Sequence, residues 1–188
     1  KKIMQNVNDL AKLATSEGGK PLQDSIIEII RGAEGVDAAV EVLKSDAGNV
    51  IPMNINEASS NRVAFTQKEP IGVVLAISAF NHPFNLIIHQ IIPAIASGCV
   101  VIVKPAEDTP LSCMKIIEML FESGLPENRC YFCMPENLKL AEKLVSDERI
   151  DFFSFIGSAK IVWWVIPIML FVGFLTPWPY NYWRLKKY

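Results

Sequence analysis

The chain has 188 residues, 51% of them hydrophobic and 20% charged, with a formal net charge of −2 and four cysteines. That length predicts one full domain, or a domain with a fragment attached, and the apolar share is ample for a buried core. The slightly acidic balance excludes the basic footprint of a nucleic-acid binder. Four cysteines without a secretory signal pattern predict a reducing cytosol. Residues 1–16 place Ile3, Val7, Leu10, Ala11 and Ala14 at helical spacing. Glu17-Gly18-Gly19-Lys20-Pro21 predicts a stop, a loop and a restart. A second amphipathic helix follows, with Ile26, Ile27, Ile30 and Ala33 on its apolar side and Glu28 and Arg31 towards solvent. Gly32 and Gly35 weaken that helix, and residues 36–44 resume its pattern. Residues 46–61 are polar and Asn-rich, which predicts a surface loop with one extended piece. Residues 62–68 alternate Val63, Phe65 and Gln67 against Arg62, Ala64, Thr66 and Lys68, the pattern of a strand near an edge.

From residue 71 the character changes to strands alternating with helices. The uncharged, β-branched run 71–77 reads as a strand buried on both faces of a parallel sheet. Ser78-Ala79-Phe80-Asn81 ends it, and Pro83 starts a helix where a missing N–H costs nothing. Residues 99–103 form the next strand, ending at Lys104-Pro105-Ala106-Glu107. Thr109 caps and Pro110 starts a helix to about Ser123, with Gly124 as its stop. Residues 130–133 and 151–156 read as strands with a helix at 137–145 between them, and Gly157-Ser158 opens a last helix. The fold class is therefore α/β, with helices first and then a doubly wound parallel sheet joined by right-handed crossovers. Its boundaries are 1–70 for the helical segment and edge strand, 71–160 for the sheet domain, and 161–188 for a tail.

That tail differs from everything before it. Every acidic residue lies at or before Asp151, whereas all four tryptophans and three of the four tyrosines follow Ser158. Residues 161–183 carry no charge, and Arg184, Lys186 and Lys187 come after them. Pro167, Gly173, Pro177, Pro179 and Asn181 interrupt the run and leave 161–175 as its apolar part. The preferred reading is a reading frame broken near Ile161; a tail anchor and a divergent buried helix are the alternatives.

Parallel α/β sheets bind ligands at the carboxyl ends of their strands, so the residues just past each strand are the candidates for chemistry. Asn81 serves there either as a cap for backbone N–H groups or as a donor to an oxygen that becomes negative during reaction. Lys104 and Glu107 are either a solvated charge pair or a donor and acceptor for sugar hydroxyls. Gly157 and Ser158 stand where a strand yields to a helix, a turn suited to a phosphate. No Gly-x-Gly-x-x-Gly occurs. Cys130-x-x-Cys133 is better explained by burial than by metal or a disulfide, because an odd offset on a strand sends the two side chains to opposite faces. His82 and His89 lack an evident third ligand, so no metal site is expected.

These landmarks carry a resemblance. Glu69-Pro70 leading into residues 71–74, Asn81 within SAFNHP, Lys104-Pro105-Ala106-Glu107, and Phe155-Ile156-Gly157-Ser158 come in the order and spacing of the aldehyde dehydrogenase superfamily. The resemblance covers about residues 1–162 and only the earlier part of that family's catalytic chain. It implies a Rossmann-like cofactor domain, here incomplete, that binds NAD or NADP. It implies that Asn81 is the oxyanion donor and that Lys104 and Glu107 hold the adenosine ribose. Ile77, Ser78, Ala79, Phe80, Phe155, Gly157 and Ser158 would line the rest of the cofactor site. Phe80 stands where the family often has Trp, and Val162 where it usually has a second glycine. In the family a cysteine thiolate attacks the aldehyde, hydride passes to nicotinamide, and a glutamate activates water on the thioester. Both of those residues would lie downstream of the Gly-Ser turn, beyond the resemblance, so the chain as given is expected to be inactive. The implied function is oxidation of a small aldehyde to a carboxylic acid. The alternatives are an acyl-coenzyme-A-forming relative and an inactive nucleotide-binding or membrane-associated fragment. Cytoplasmic location, homo-oligomeric full-length members, and neither nucleic acid nor membrane as partner complete the expectation.

Overall fold

The computed structural model describes residues 1–157; Ser158, Val162, the last predicted helix and the tail with its three readings lie outside the described residues. The chain opens with α1 (Lys2–Gln5), α2 (Val7–Gly18) and α3 (Leu22–Ser45). Two short strands, β1 (Val50–Ile51) and β2 (Ala64–Phe65), then pair antiparallel. The predicted strand at 62–68 is thus only two residues long, because β1 offers it no more pairing partners. Four parallel strands follow: β3 (Val73–Ile77), β4 (Val100–Lys104), β5 (Cys130–Phe132) and β6 (Phe152–Phe155). Between them run α4 (Asn85–Ala96), α5 (Pro110–Glu122), a 3-10 turn (Glu127–Arg129) and α6 (Leu138–Val145). The sheet order is β5-β4-β3-β6, so the chain winds outward from β3 in one direction and then returns to its other side. The winding reverses between β3 and β6, which is where such sheets open a crevice for a ligand.

The core lies on one face of this sheet. Val74 and Ala76 of β3, Val101 and Val103 of β4 and Cys130 of β5 pack under Ile87, Ile88 and Ile91 of α4 and Cys113, Ile116 and Ile117 of α5. Leu10, Ala11 and Ile29 from α2 and α3 join the same core, with α3 packed on α4 and α2 on α5. The buried reading of β3 holds at its centre, where Val74, Leu75 and Ala76 are all inaccessible.

One sequence expectation is overturned in α3. The buried positions of this helix are Ser25, Glu28, Ile29, Gly32 and Ala33. They recur at the 3.6-residue period, and of the residues expected on the apolar side Ala33 is buried and Ile26 packs against the core, but the stripe is rotated to take in Glu28. Ile27 is largely exposed, and Glu28, expected in solvent, is buried. Gly32 does not break the helix either. A Cβ there would meet the Phe84 ring at 2.9 and 3.0 Å, so glycine lets α3 approach the start of α4. Among the described residues, no helix is long and apolar enough to cross a membrane.

Candidate functional site

Three strand ends meet in one row. Ile77 of β3 is in register with Lys104 of β4 on one side and with Phe155 of β6 on the other. Beyond the row, Ser78 N donates to the Lys104 carbonyl at 3.0 Å and Ile156 N donates to the Ile77 carbonyl at 2.9 Å. Gln90 of α4 bridges the strands where the winding reverses. Its amide nitrogen donates to the Ile77 carbonyl at 3.0 Å and to both the carbonyl and hydroxyl of Ser154 at 3.1 Å. Ser78 is buried, and its hydroxyl has no partner among the described residues. Ala79 is half-buried, and Phe80 and Asn81 reach the surface.

Asn81 does not act as a cap. The backbone N–H groups of Phe84 and Asn85, at the start of α4, both donate to Glu28 Oε1, at 2.7 and 2.9 Å. Among the described residues no hydrogen bond engages the Asn81 side chain, and helical bonding begins with Leu86 N donating to the His82 carbonyl at 3.0 Å. Pro83 therefore sits in the first turn, two residues before the regular helix starts at Asn85. Glu28 Oε2 in turn takes the ammonium of Lys20, from the turn between α2 and α3. Lys20 Nζ also lies 3.3 Å from His82 Nδ1 and 3.5 Å from the Asn81 carbonyl. The side chains of Lys20 and Glu28 are 14% and 1% exposed, so this ion pair is shielded from water and salt. Burial pulls the Lys20 ammonium below its ordinary pKa, with Asp24 working the other way. Burial, then Lys20 and Arg31, hold the His82 imidazole below its ordinary value, Asp24 again opposing. Glu28 Oε2 stands 3.8 Å from His82 Nδ1, but its charge is already met by Lys20.

The last turn of α2 serves α5. Glu17 accepts from Leu111 N at 2.7 Å and from Ser112 N at 2.8 Å. Thr109 holds the cap position as expected, but its hydroxyl caps nothing and is buried without a partner among the described residues. The carboxylate of Glu17, carrying a full charge to the positive end of the helix, has displaced the neutral hydroxyl from that role.

Lys104 and Glu107 come together as the sequence suggests, Nζ to Oε1 at 3.7 Å. The lysine side chain is only 13% exposed and donates to the Pro105 carbonyl at 3.3 Å, whereas the glutamate is 77% exposed. The pair thus offers an anchored donor beside an exposed carboxylate. On the opposite side, a Cβ on Gly157 would meet the Phe155 ring at 2.8 Å, so only glycine fits this turn unchanged. Ser158 lies outside the described residues. All four cysteines are free. Burial pushes the Cys113 thiol far up and the Cys130 thiol up to about 11. Among the described residues no group of three His, Cys, Asp or Glu could hold a metal ion.

This edge, with its free asparagine amide and its Lys-Glu pair, occurs within a longer match. The sequence model of the Aldehyde dehydrogenase family covers residues 1–165 of the chain. The chain belongs to the aldehyde dehydrogenase family. A 3-sulfolactaldehyde dehydrogenase of Priestia aryabhattai is 35% identical over 159 residues, covering 85% of this chain and 33% of the relative. Aldehyde dehydrogenase 21 of Physcomitrella patens, solved with its reaction product succinate, superposes with a TM-score of 0.79 at 32% identity, covering 86% of this chain and 34% of that one. A glyceraldehyde-3-phosphate dehydrogenase of Methanocaldococcus jannaschii complexed with NADP gives 0.76 at 30% identity, covering 85% and 35%. The chain thus spans about a third of the length of the curated relatives it matches. A second model, Domain of unknown function (DUF4396), matches residues 152–188, so the change of composition falls where the two matches overlap.

In this member of the family, strand ends point to Asn81, Lys104 and Glu107 as candidates, and the fold adds Glu17, Lys20, Glu28 and Gln90 around them. A signal for Glu28 was present. It is an acidic residue with isoleucines at positions 26, 27, 29 and 30, a run too apolar for a side chain meant for solvent.

Proposed function

We propose that this chain supplies the cofactor-binding and oxyanion-donating part of an enzyme that oxidises an aldehyde to a carboxylic acid with NAD or NADP. One observation carries the reading. Among the described residues the Asn81 amide is unengaged at the carboxyl edge, and Glu28 has already met the helix amides it would otherwise cap. An uncommitted donor on a loop fixed from behind can meet an aldehyde oxygen as that oxygen gains charge. Such donors contribute about a hundredfold or more to turnover.

The residues present fit the cofactor. Ile77 to Phe80 form the ledge above β3, where the Ser78 hydroxyl has no other partner among the described residues. Lys104 and Glu107 would take the adenosine ribose, the carboxylate accepting from its hydroxyls and the ammonium donating. Phe155, Gly157 and Ser158 would take the pyrophosphate side. Bound there, the nicotinamide would supply the two-electron acceptor that aldehyde oxidation requires. No residue of 1–157 is given the part of the thiol nucleophile or the glutamate base.

Titrating NADH and NADPH against the chain by nicotinamide fluorescence tests the assignment. Glu107→Ala should weaken NADH binding by about ten- to a hundredfold, the usual contribution of a charged acceptor. NADPH should lose less, because the same change removes a negative charge from beside its 2′-phosphate. Equal losses for both cofactors, or no binding by the unchanged chain, would overturn the proposal.

A further inference from the structure

The α2–α3 turn reaches more than 60 residues along the sequence to touch the loop that carries Asn81. Its lysine has three N–H donors, and three acceptors surround it: Glu28 Oε2, the Asn81 carbonyl at 3.5 Å and His82 Nδ1 at 3.3 Å. Glu28 accepts on its other oxygen from Phe84 N and Asn85 N. Four of the five positions 81–85, all but Pro83, thereby contact one ion pair. Simple packing does not need charge at this place. The neighbouring approach of α3 to α4, Gly32 against Phe84 and Ile88, is apolar.

We infer that Lys20 is a positioning residue for Asn81, acting with Glu28 to set the path of residues 80–85 and hence the aim of the Asn81 amide. This rests on the oxyanion reading of Asn81 for its purpose, but not for its detection. The ammonium meets the Asn81 carbonyl on the main chain and the imidazole of the next residue, His82, and among the described residues it makes no contact with the Asn81 side chain. Fixing the backbone at Asn81 sets the origin and direction of its Cα–Cβ bond, while the side chain's own torsions stay free to meet a ligand. The length of the lysine matters as well. It spans from the α2–α3 turn to the loop beneath the ligand edge, and no other lysine or arginine among the described residues contacts Glu28.

The test uses the full 188-residue chain and the variants Lys20→Met, Glu28→Gln and their combination. Lys20→Met keeps the apolar stem and removes the donors. Amide hydrogen exchange resolved by segment should quicken about ten- to a hundredfold over residues 80–86, the loss of charge-assisted bonds, while 100–104 in β4 keeps its rate. The side-chain amide signal of Asn81 in a nitrogen-resolved NMR spectrum, identified by its disappearance in Asn81→Ala, should shift or broaden in Lys20→Met. The double variant should exchange no faster than the faster single one, because each removes the same link. Unchanged exchange over 80–86 with an unmoved Asn81 signal would overturn the inference. So would acceleration spread evenly over all segments, which marks general loosening. Neither readout needs a nucleotide. A chain that binds no NADH would sink the cofactor reading alone, and these two measurements would still decide the role of Lys20.

Discussion

Glu28 is buried because a carboxylate accepting two amides and an ammonium has exchanged water for equivalent partners, and removing any of them would leave a stranded charge. His82, at the rim of the same cluster, gives it a pH dependence whose sign follows from its neighbours. Its folded pKa is lowered by burial and by the Lys20 and Arg31 charges, against Asp24. Unfolded, it titrates near its ordinary value of about 6.5. Between those two values the unfolded chain binds more protons, so stability rises with pH through that window. The His82 contribution is fully present above about pH 6.5 and is lost as pH falls towards the lowered folded value. Thermal melting of the chain and of His82→Gln should therefore differ little at pH 8, and the variant should lose less between pH 7 and 5. Parallel pH profiles would show that folding does not lower the His82 pKa.

At the scale of elements, the helical hairpin α2–α3 acts as a brace for two helix starts. Glu17 and Glu28 each bring a carboxylate to a positive helix end, and those two helices follow the loops that hold Asn81 and the Lys104–Glu107 pair. The brace requires close approach, which Gly32 permits. Gly32→Ala should destabilise the fold, because the new methyl meets a fully buried Phe84 ring at 2.9 Å. Overpacking of this kind costs about 1–3 kcal/mol, against about 1 kcal/mol gained from better helix propensity. Gly19→Ala makes no such contact, but its backbone angle φ of 68° is itself strained for alanine and so makes it a poor control. Gly35→Ala is the better one, with its nearest contact at an ordinary 3.6 Å, and it should be neutral or slightly stabilising. Denaturant midpoints for the two variants falling in the reverse order would refute the close-approach account.

For the whole molecule, the four cysteines decide what the chain does by itself. A thiolate is the attacking species. Cys113 and Cys130 are pushed upward by burial, Cys99 is buried, and among the described residues no hydrogen bond joins any of the four to a histidine or carboxylate. The 188-residue chain should therefore form no NADH from NAD and an aldehyde above a buffer blank. Aldehyde-dependent NADH formation that survives purification, and is lost on changing one of these cysteines, would overturn that expectation.

Much of the molecule was determined locally. The uncharged β-branched runs dictate β3 and β4 within two residues, since burial on both faces demands such side chains. Asn137 caps α6 as its type predicts, accepting from Leu140 N at 3.1 Å. Asn81, Lys104 and Glu107 were legible because the ends of parallel strands converge on one edge whatever the remaining sequence. What only the tertiary structure decided are the contacts between distant segments. Thr109 has the right residue type for a cap, yet Glu17, 92 positions earlier and drawn by the stronger attraction of a full charge, accepts the α5 amides instead. The face of α3 that is buried was set by the shape of α4 and by the demand of its first amides for an acceptor. Hydrophobic periodicity contains no term for that demand, and so Glu28 reads as a surface residue until α4 lies against it.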